Sequence, residues 1–449
     1  MSKDIRIKKG LDIKLVGEAE KKTTESSISS LYAVKPEEFH GIIPKLMAKE
    51  GAEVKAGEAL FHSKSDERIL FPSPVSGKIV EIERGARRKV LAIKIAADKS
   101  LTYSDFGSKD PSSMNTEEIK NYLFSSGCWP FIKQRPFDVI ANPNQAPKAI
   151  FISAYASAPL AADFNYTLTG REKEIKTALQ AITKLTEGKV HVSVGNGGTT
   201  VFNGVEGVQV HQVSGPHPSG NVGTQIAKID PINKGEVVWV LNPADLVVIG
   251  ELFLTGKFNI TRTVAITGSK IKTPKYVTAI AGATVSDILG DALDNDNTRI
   301  ISGNVLTGTQ VKKDGFLGYY DNQITAIPEG DDYEFFGWNK PVFDKISTSR
   351  ALTFSWLTPN KKYDLNTNTN GEHRAFVVTG SYEDVFPLDI YPMQLLKAFM
   401  YKDLDEMEAL GGYEIAPEDF ALTEFICVSK QPHQKIIREG LDLMKEELG

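Results

Sequence analysis

The run from Glu50 to Ile95, EGAEVKAGEALFHSKSDERILFPSPVSGKIVEIERGARRKVLAIKI, constrains this chain more than any other stretch. Within it, Gly77-Lys78-Ile79-Val80-Glu81-Ile82 alternates apolar and polar residues between Pro72, Pro74 and Gly85. That is the period-two signature of a strand with one buried face. Gly51, Gly57 and Gly77 fall where successive short strands must turn tightly, and glycine takes positive φ there at little steric cost.

The pattern resembles the sandwiched β-hairpin fold of biotinyl and lipoyl carrier domains, in which a lysine at a hairpin tip carries the cofactor. The lysine nearest the tip is Lys64, between Ser63 and Ser65, and counting back from Pro72 the attachment position falls nearer Asp66. The reading is an unmodified scaffold rather than a swinging arm.

At 449 residues the chain exceeds one core, and three or four domains are expected. Lys plus Arg total 52 against 57 Asp plus Glu, a mild acidic balance that argues against gripping nucleic-acid phosphates. The N-terminus lacks the apolar core of a secretory signal, and no segment offers the ~18 uninterrupted apolar residues of a membrane span. The most apolar region, Val237 to Leu254, is broken by Asn242, Pro243, Asp245, Gly250 and Glu251. Membrane association is therefore expected only through partners. Cys128 and Cys427 lie far apart with no CxxC, which signals neither a disulfide framework nor a zinc site and suits a reducing cytoplasm. An iron–sulfur cluster held by its usual four thiolates is excluded.

Along the chain, IRIKKGLDIKL alternates, and KKTTESSISS reads as a turn or loop. Phe39-His40 sits beside Gly41 on an irregular segment bounded by Pro36 and Pro44. Thr102 to Asn115 reads as a linker, after which Asn115 or Thr116 caps a helix with Glu117 and Glu118 in its first turn. Next comes SGCWPFIKQRPF, where Trp129, Phe131 and Phe137 interleave with Lys133 and Arg135. Rings and cations so spaced suit either a flat, partly polar ring system such as a quinone headgroup or an anchor packing one domain on the next.

KAIFISAY, an amphipathic helix over Arg171 to Thr186, and KVHVSV form a strand, helix, strand alternation that implies a parallel α/β layer. Gly195-Asn196-Gly197-Gly198-Thr199-Thr200 opens no helix, so a phosphate cradle is not expected. His217 lies between two prolines in GPHPSGNVGTQI, and its neighbourhood is read as conformational rather than catalytic, with Asp230 the nearest downstream carboxylate. Residues 262 to 330 give a small β-grasp pattern, with Thr284 capping a short helix to Leu293. Tyr333, Phe335, Phe336, Trp338, Phe343, Phe354 and Trp356 follow, a density read as an interface. Helices are expected over Met393 to Leu410, Asp419 to Cys427 and His433 to Leu448.

Taken together, IKKGLDIKLVG, SPVSGKIVEIERGARR, SGCWPFIKQRPFDVIANP, PLAADFN, GPHPSGNVGTQIAKIDP and TRIISGNVLTG run in order over nearly the whole chain and resemble the A subunit of the Na+-translocating NADH:quinone oxidoreductase, Na+-NQR. The resemblance implies a peripheral subunit on the cytoplasmic face of the bacterial inner membrane. Such a subunit holds no redox cofactor and docks on membrane subunits near the quinone-reducing end, while flavins and Fe–S centres belong to other subunits. More distantly the chain resembles the NADH- and FMN-binding subunit of complex I and the C subunit of Rnf complexes, from which it departs in its glycine loop and its single C-terminal cysteine.

The expected fold class is α/β multidomain: a biotinyl/lipoyl-like β-sandwich unit within residues 1–101, a Rossmann-like α/β domain over 115–260, a β-grasp (SLBB-like) module over 261–330, and an aromatic segment with a C-terminal helical bundle over 331–449. Candidate quinone contacts are Phe39, His40, Trp129, Phe131, Arg135 and Phe137, since a quinone needs aromatic walls and a donor to its carbonyl oxygens. A pure structural adaptor and a freestanding flavin- or nucleotide-binding oxidoreductase are the rival readings.

Overall fold

Ile79, Ile93 and Ile95 face Leu60, Phe61 and Phe71 across the first core, all fully buried. They come from two small antiparallel sheets of a computed structural model, which describes the chain except residues 1, 295, 296, 332, 333, 338, 339, 347–351, 353 and 378. One sheet holds Leu31–Val34, Val90–Ala97, Gly77–Arg84 and Glu53–Val54, and the other Pro44–Leu46, Ala59–Ser63 and Leu70–Pro72. The alternation read around Ile79 holds from Gly77 to Val80 and then breaks at an irregularity in the ladder, where Val80 and Glu81 are both exposed. A Cβ on Gly77 would stand 2.0 Å from the carbonyl oxygen of Ala96, so only glycine permits that strand approach. Lys64 is exposed in the turn between Ala59–Ser63 and Leu70–Pro72.

The helix Thr116–Ser125 opens the next unit. Asn115 Oδ1 accepts from the Glu118 amide at 2.9 Å while Glu118 Oε2 accepts from the Asn115 amide at 2.7 Å, a reciprocal capping box. A seven-stranded sheet follows in the order Asp4–Arg6, Val208–Ser214, Val190–Gly195, Ala149–Ala154, Val238–Leu241, Lys133–Arg135, Val139–Ile140. The first five strands are parallel, Lys133–Arg135 runs antiparallel to them, and Val139–Ile140 turns back antiparallel to Lys133–Arg135. Alternate residues serve opposite faces. Ile150 and Ile152 meet Leu179 and Ile182 of the helix Glu172–Ile182, whereas Ala149 and Phe151 join Ile226 and Ile229 of the helix Val222–Ile229. The helix Pro243–Thr255 is capped by Asn242, whose Oδ1 accepts from the Ala244 amide at 2.9 Å. It is buried on nearly every side and crosses Glu172–Ile182 so closely that a Cβ on Gly250 would lie 1.9 Å from the Glu174 carbonyl oxygen.

A six-stranded sheet comes next, ordered Thr309–Val311, Thr298–Ser302, Gln323–Pro328, Thr261–Thr267, Lys275–Ile280, Glu20–Glu25. The last member corrects the sequence reading, because part of KKTTESSISS is an edge strand parallel to Lys275–Ile280 rather than a loop. All six of its side chains are exposed, so no buried face imposed an alternation that could have revealed it. Thr284 stands at the start of the helix Val285–Leu289 but makes no cap, since its hydroxyl donates instead to the Leu31 carbonyl at 2.9 Å.

The C-terminal part packs the helices Pro392–Tyr401, Leu404–Ala409, Ala421–Ile426 and His433–Leu448 around Leu395, Leu396, Met407, Phe420, Ile437 and Leu441. The single helix read over Met393 to Leu410 is interrupted at Lys402, whose φ of +57° breaks the ladder. Tyr333 and Trp338 lie outside the described residues.

Candidate functional site

Counted within the α/β unit, the parallel strands lie in the order third, second, first, fourth, so the chain leaves Ala149–Ala154 in one direction and returns on its other side as Val238–Leu241. Such a switch point opens a crevice beyond the carboxyl ends of the two strands, the usual ligand position in open α/β sheets. A cavity of about 320 Å³ occupies it, with Ser153, Tyr155 and Ser157 from one strand end and Leu241 and Asn242 from the other in its wall. Tyr320 in the turn leading into the six-stranded sheet, Gln323 at the start of its strand Gln323–Pro328 and Glu418 of the C-terminal part close it, so three units of the chain meet there.

Lys133 and Arg135 enter from the antiparallel strand Lys133–Arg135, where spacing by two puts both on one face. Lys133 Nζ sits 4.3 Å from the centroid of the Tyr320 ring, a cation–π contact. The Tyr320 hydroxyl is engaged elsewhere, donating to the Pro130 carbonyl at 2.7 Å. Arg135 is 2 % exposed, with Nη1 at 2.8 Å from Asp419 Oδ2 and Nη2 at 2.7 Å from Glu418 Oε1. Enclosure by the cavity walls raises the Glu418 carboxyl above the usual carboxylate range against the pull of Arg135, with Asp419 and Asp138 adding to the rise. Its side chain is 39 % accessible, so solvent moderates that rise. For Asp138 burial acts upward as well, yet Lys133, Arg135, Arg438 and His40 together hold its carboxyl below the ordinary value. On the opposite wall Asp245 is raised by burial despite Arg262, whose Nη2 is 2.7 Å from its Oδ1.

Behind the cavity, His217 is 3 % exposed, and its Nδ1 lies 3.0 Å from Ser157 Oγ, which accepts from the Gly220 amide at 2.7 Å. Burial pushes the imidazole down to about 4, so it is neutral near pH 7 and accepts the Ser157 hydroxyl proton as a hydrogen bond. Asp230 pairs with Lys148 at 3.0 Å, away from this histidine. The arrangement pins the 215–221 loop under the cavity floor.

Of the sequence candidates, Phe131 and Arg135 line the cavity. Phe39 is 1 % exposed and packs its ring 5.8 Å from that of Tyr320 and 4.4 Å from that of Phe71, one layer behind the wall. Trp129 is fully buried, its indole N–H donating to the Ala141 carbonyl at 2.9 Å and its ring against Phe124 and Trp239. His40 reaches the surface, where Nε2 meets Asp442 Oδ1 at 2.6 Å. Phe137, with φ +79°, packs on the C-terminal helices. Sequence reasoning missed Asp245, Tyr320 and Glu418, which carry no local motif. Lys133 was visible only as a cation two residues from Arg135.

Three domain profiles match the chain: the NqrA N-terminal barrel-sandwich hybrid domain over residues 5–98, the NqrA second alpha/beta domain over 114–258 and the NQRA C-terminal domain over 263–313. Among curated relatives, the A subunit of the Na(+)-translocating NADH-quinone reductase of Neisseria meningitidis serogroup B is 37 % identical over 448 residues, covering 99 % of this chain and 100 % of the relative. That of Rhodopirellula baltica is 35 % identical, covering 98 % of each, and that of Yersinia pestis bv. Antiqua is 34 % identical, covering 99 % and 100 %. The chain belongs to the NqrA family, the A subunits of Na(+)-translocating NADH-quinone reductases.

Proposed function

We propose that this chain is the peripheral subunit of a sodium-translocating NADH:quinone reductase that sits on the cytoplasmic face of the membrane, docks on membrane-embedded partner subunits and contributes a wall of the quinone site. The observation that carries the reading is the switch-point cavity, where the rings of Phe131 and Tyr320 stand beside Lys133, Arg135 and Glu418. Aromatic walls with a few polar groups are what a quinone ring requires. The strand order supports a Rossmann-like reading of the α/β unit, and the clustered helices support a C-terminal bundle, within the division 1–101, 115–260, 261–330 and 331–449.

Electrons and sodium pass through other subunits on this reading, and the chain holds no redox centre of its own. In support, Cys128 and Cys427 are buried in separate cores and cannot ligate one cluster. No helix among the described residues is long and apolar enough to cross a membrane, which fits attachment through partners. Exposed Phe335, Phe354 and Trp356 offer a surface for that attachment. The test is photolabelling of the assembled complex with an azido-quinone. Label on the segments bearing Phe131 or Tyr320 supports the reading, and label confined to other subunits overturns it.

A further inference from the structure

Arg135 is the cationic candidate from the sequence that lines the cavity, yet both its terminal nitrogens are committed, Nη1 to Asp419 and Nη2 to Glu418. Lys133 differs. Two residues away on the same strand face, its ammonium has no carboxylate or carbonyl within hydrogen-bonding distance among the described residues, and its partner is the face of the Tyr320 ring. A ring face takes up one side of an ammonium and leaves donors directed elsewhere. Both Lys133 and Tyr320 border the cavity, as does Asn242, whose Oδ1 is used as a helix cap while its amide nitrogen has no acceptor among the described residues.

The charges around the cavity also select a ligand class. Lys133 and Arg135 are set against Asp138, Asp245 and Glu418, so the wall carries no surplus of positive charge that would call for a phosphate or a polyanion. A neutral planar ring bearing carbonyl oxygens suits it: the ring packs against the wall formed by the mutually perpendicular Phe131 and Tyr320 rings, and one oxygen accepts from the Lys133 ammonium.

We propose that Lys133, held by the Tyr320 ring, is the group that positions the carbonyl oxygen of a ring ligand in this cavity, while Arg135 ties the C-terminal part to the cavity wall. The assignment rests on the quinone-site reading above and adds to it a specific donor. Lys133 acts as a positioning group, and no bond is made or broken on it.

The test titrates a short-chain, water-soluble benzoquinone against the full-length chain by saturation-transfer NMR, with an alkylbenzene of the same size as a probe that lacks the carbonyls. Losing a charge-assisted hydrogen bond weakens quinone binding about tenfold to a hundredfold. Lys133→Met, which keeps the apolar stem, is expected to show that loss for the quinone and none for the alkylbenzene, with Lys133→Arg restoring most of the affinity. If Lys133→Met misfolds by circular dichroism, Lys133→Gln serves in its place. Quinone binding by the unmodified chain that Lys133→Met leaves unchanged, or an equal loss for both probes, overturns the assignment while the quinone reading stands. Failure of the unmodified chain to bind the quinone, alone and in the assembled complex, overturns both.

Discussion

Arg135 and Asp419 lie 284 positions apart in sequence and 2.8 Å apart in space, with side chains 2 % and 0 % exposed. Their contact fastens the strand Lys133–Arg135 to the C-terminal helices. Desolvating two charges is costly, and it is offset here because Asp419 Oδ2 also accepts from the Ala416 amide at 2.9 Å and Glu418 takes the second guanidinium nitrogen. Removing one partner leaves the other charged and enclosed. Asp419→Ala is expected to cost about 3 kcal/mol in urea unfolding, the low end for a broken buried pair because Glu418 remains. A cost below about 1 kcal/mol would show that the pair contributes little.

Gly223 explains how that pair fits. It stands in the first turn of the helix Val222–Ile229, and a Cβ there would lie 2.4 Å from Arg135 Nη1 and 2.5 Å from Asp419 Oδ1. Helix propensity alone favours alanine over glycine by about 1 kcal/mol. The clash outweighs this, because the atoms struck are held by the ion pair rather than free at the end of a mobile side chain. Gly223→Ala is expected to lower the thermal midpoint, and Gly223→Ala with Asp419→Ala to cost less than the sum of the two, since both act on one contact. Additive losses would place the strain elsewhere.

His217 makes stability depend on pH. Its folded pKa, about 4, lies below the ordinary histidine value of about 6.5, so above pH 6.5 neither state binds the proton and the histidine contributes no slope. Between pH 6.5 and 4 the unfolded chain takes up a proton that the folded chain refuses, and stability falls as pH falls. The span corresponds to roughly 3 kcal/mol. His217→Asn keeps an acceptor for Ser157 without the titration, and is expected to flatten the acid limb of unfolding free energy against pH. An unchanged limb would assign the loss to other groups, with His433, also pushed down to about 4 by burial, the next to test.

Much of this architecture is legible where residues act on near neighbours. The Asn115 and Glu118 cap, the inward Ile79 and the helical spacing of Ile175, Leu179 and Ile182 all report structure within a few positions of themselves. The site is another matter. Tyr320 reaches Lys133 from a turn far along the chain, and Glu418 reaches Arg135 across 283 positions, so neither pairing leaves a periodicity to read. Ring type alone marks Phe39 and Trp129 as candidates, and ring type does not distinguish a cavity wall from the layer behind it. Glu20–Glu25 is illegible for the opposite reason, since an edge strand whose side chains are all exposed needs no apolar alternation.

The segment from Glu334 to Leu357 leaves apolar rings in water: Phe335 is 82 % exposed, Phe354 60 % and Trp356 62 %. Aromatic side chains are enriched in interface cores, and a cluster of them exposed on one segment marks an association surface. Because these rings bury little area within the chain, replacing Phe335, Phe354 and Trp356 together with serine is expected to shift the chain's own stability by no more than about 0.5 kcal/mol per site. The same replacements are expected to reduce recovery of the membrane subunits when the chain is purified from native membranes, because the apolar area they would bury at the contact is gone. Undiminished recovery with an unchanged thermal midpoint would move the docking surface to another face, where Ile43 and Met47 on the barrel-like unit, 64 % and 55 % exposed, are the next positions to replace.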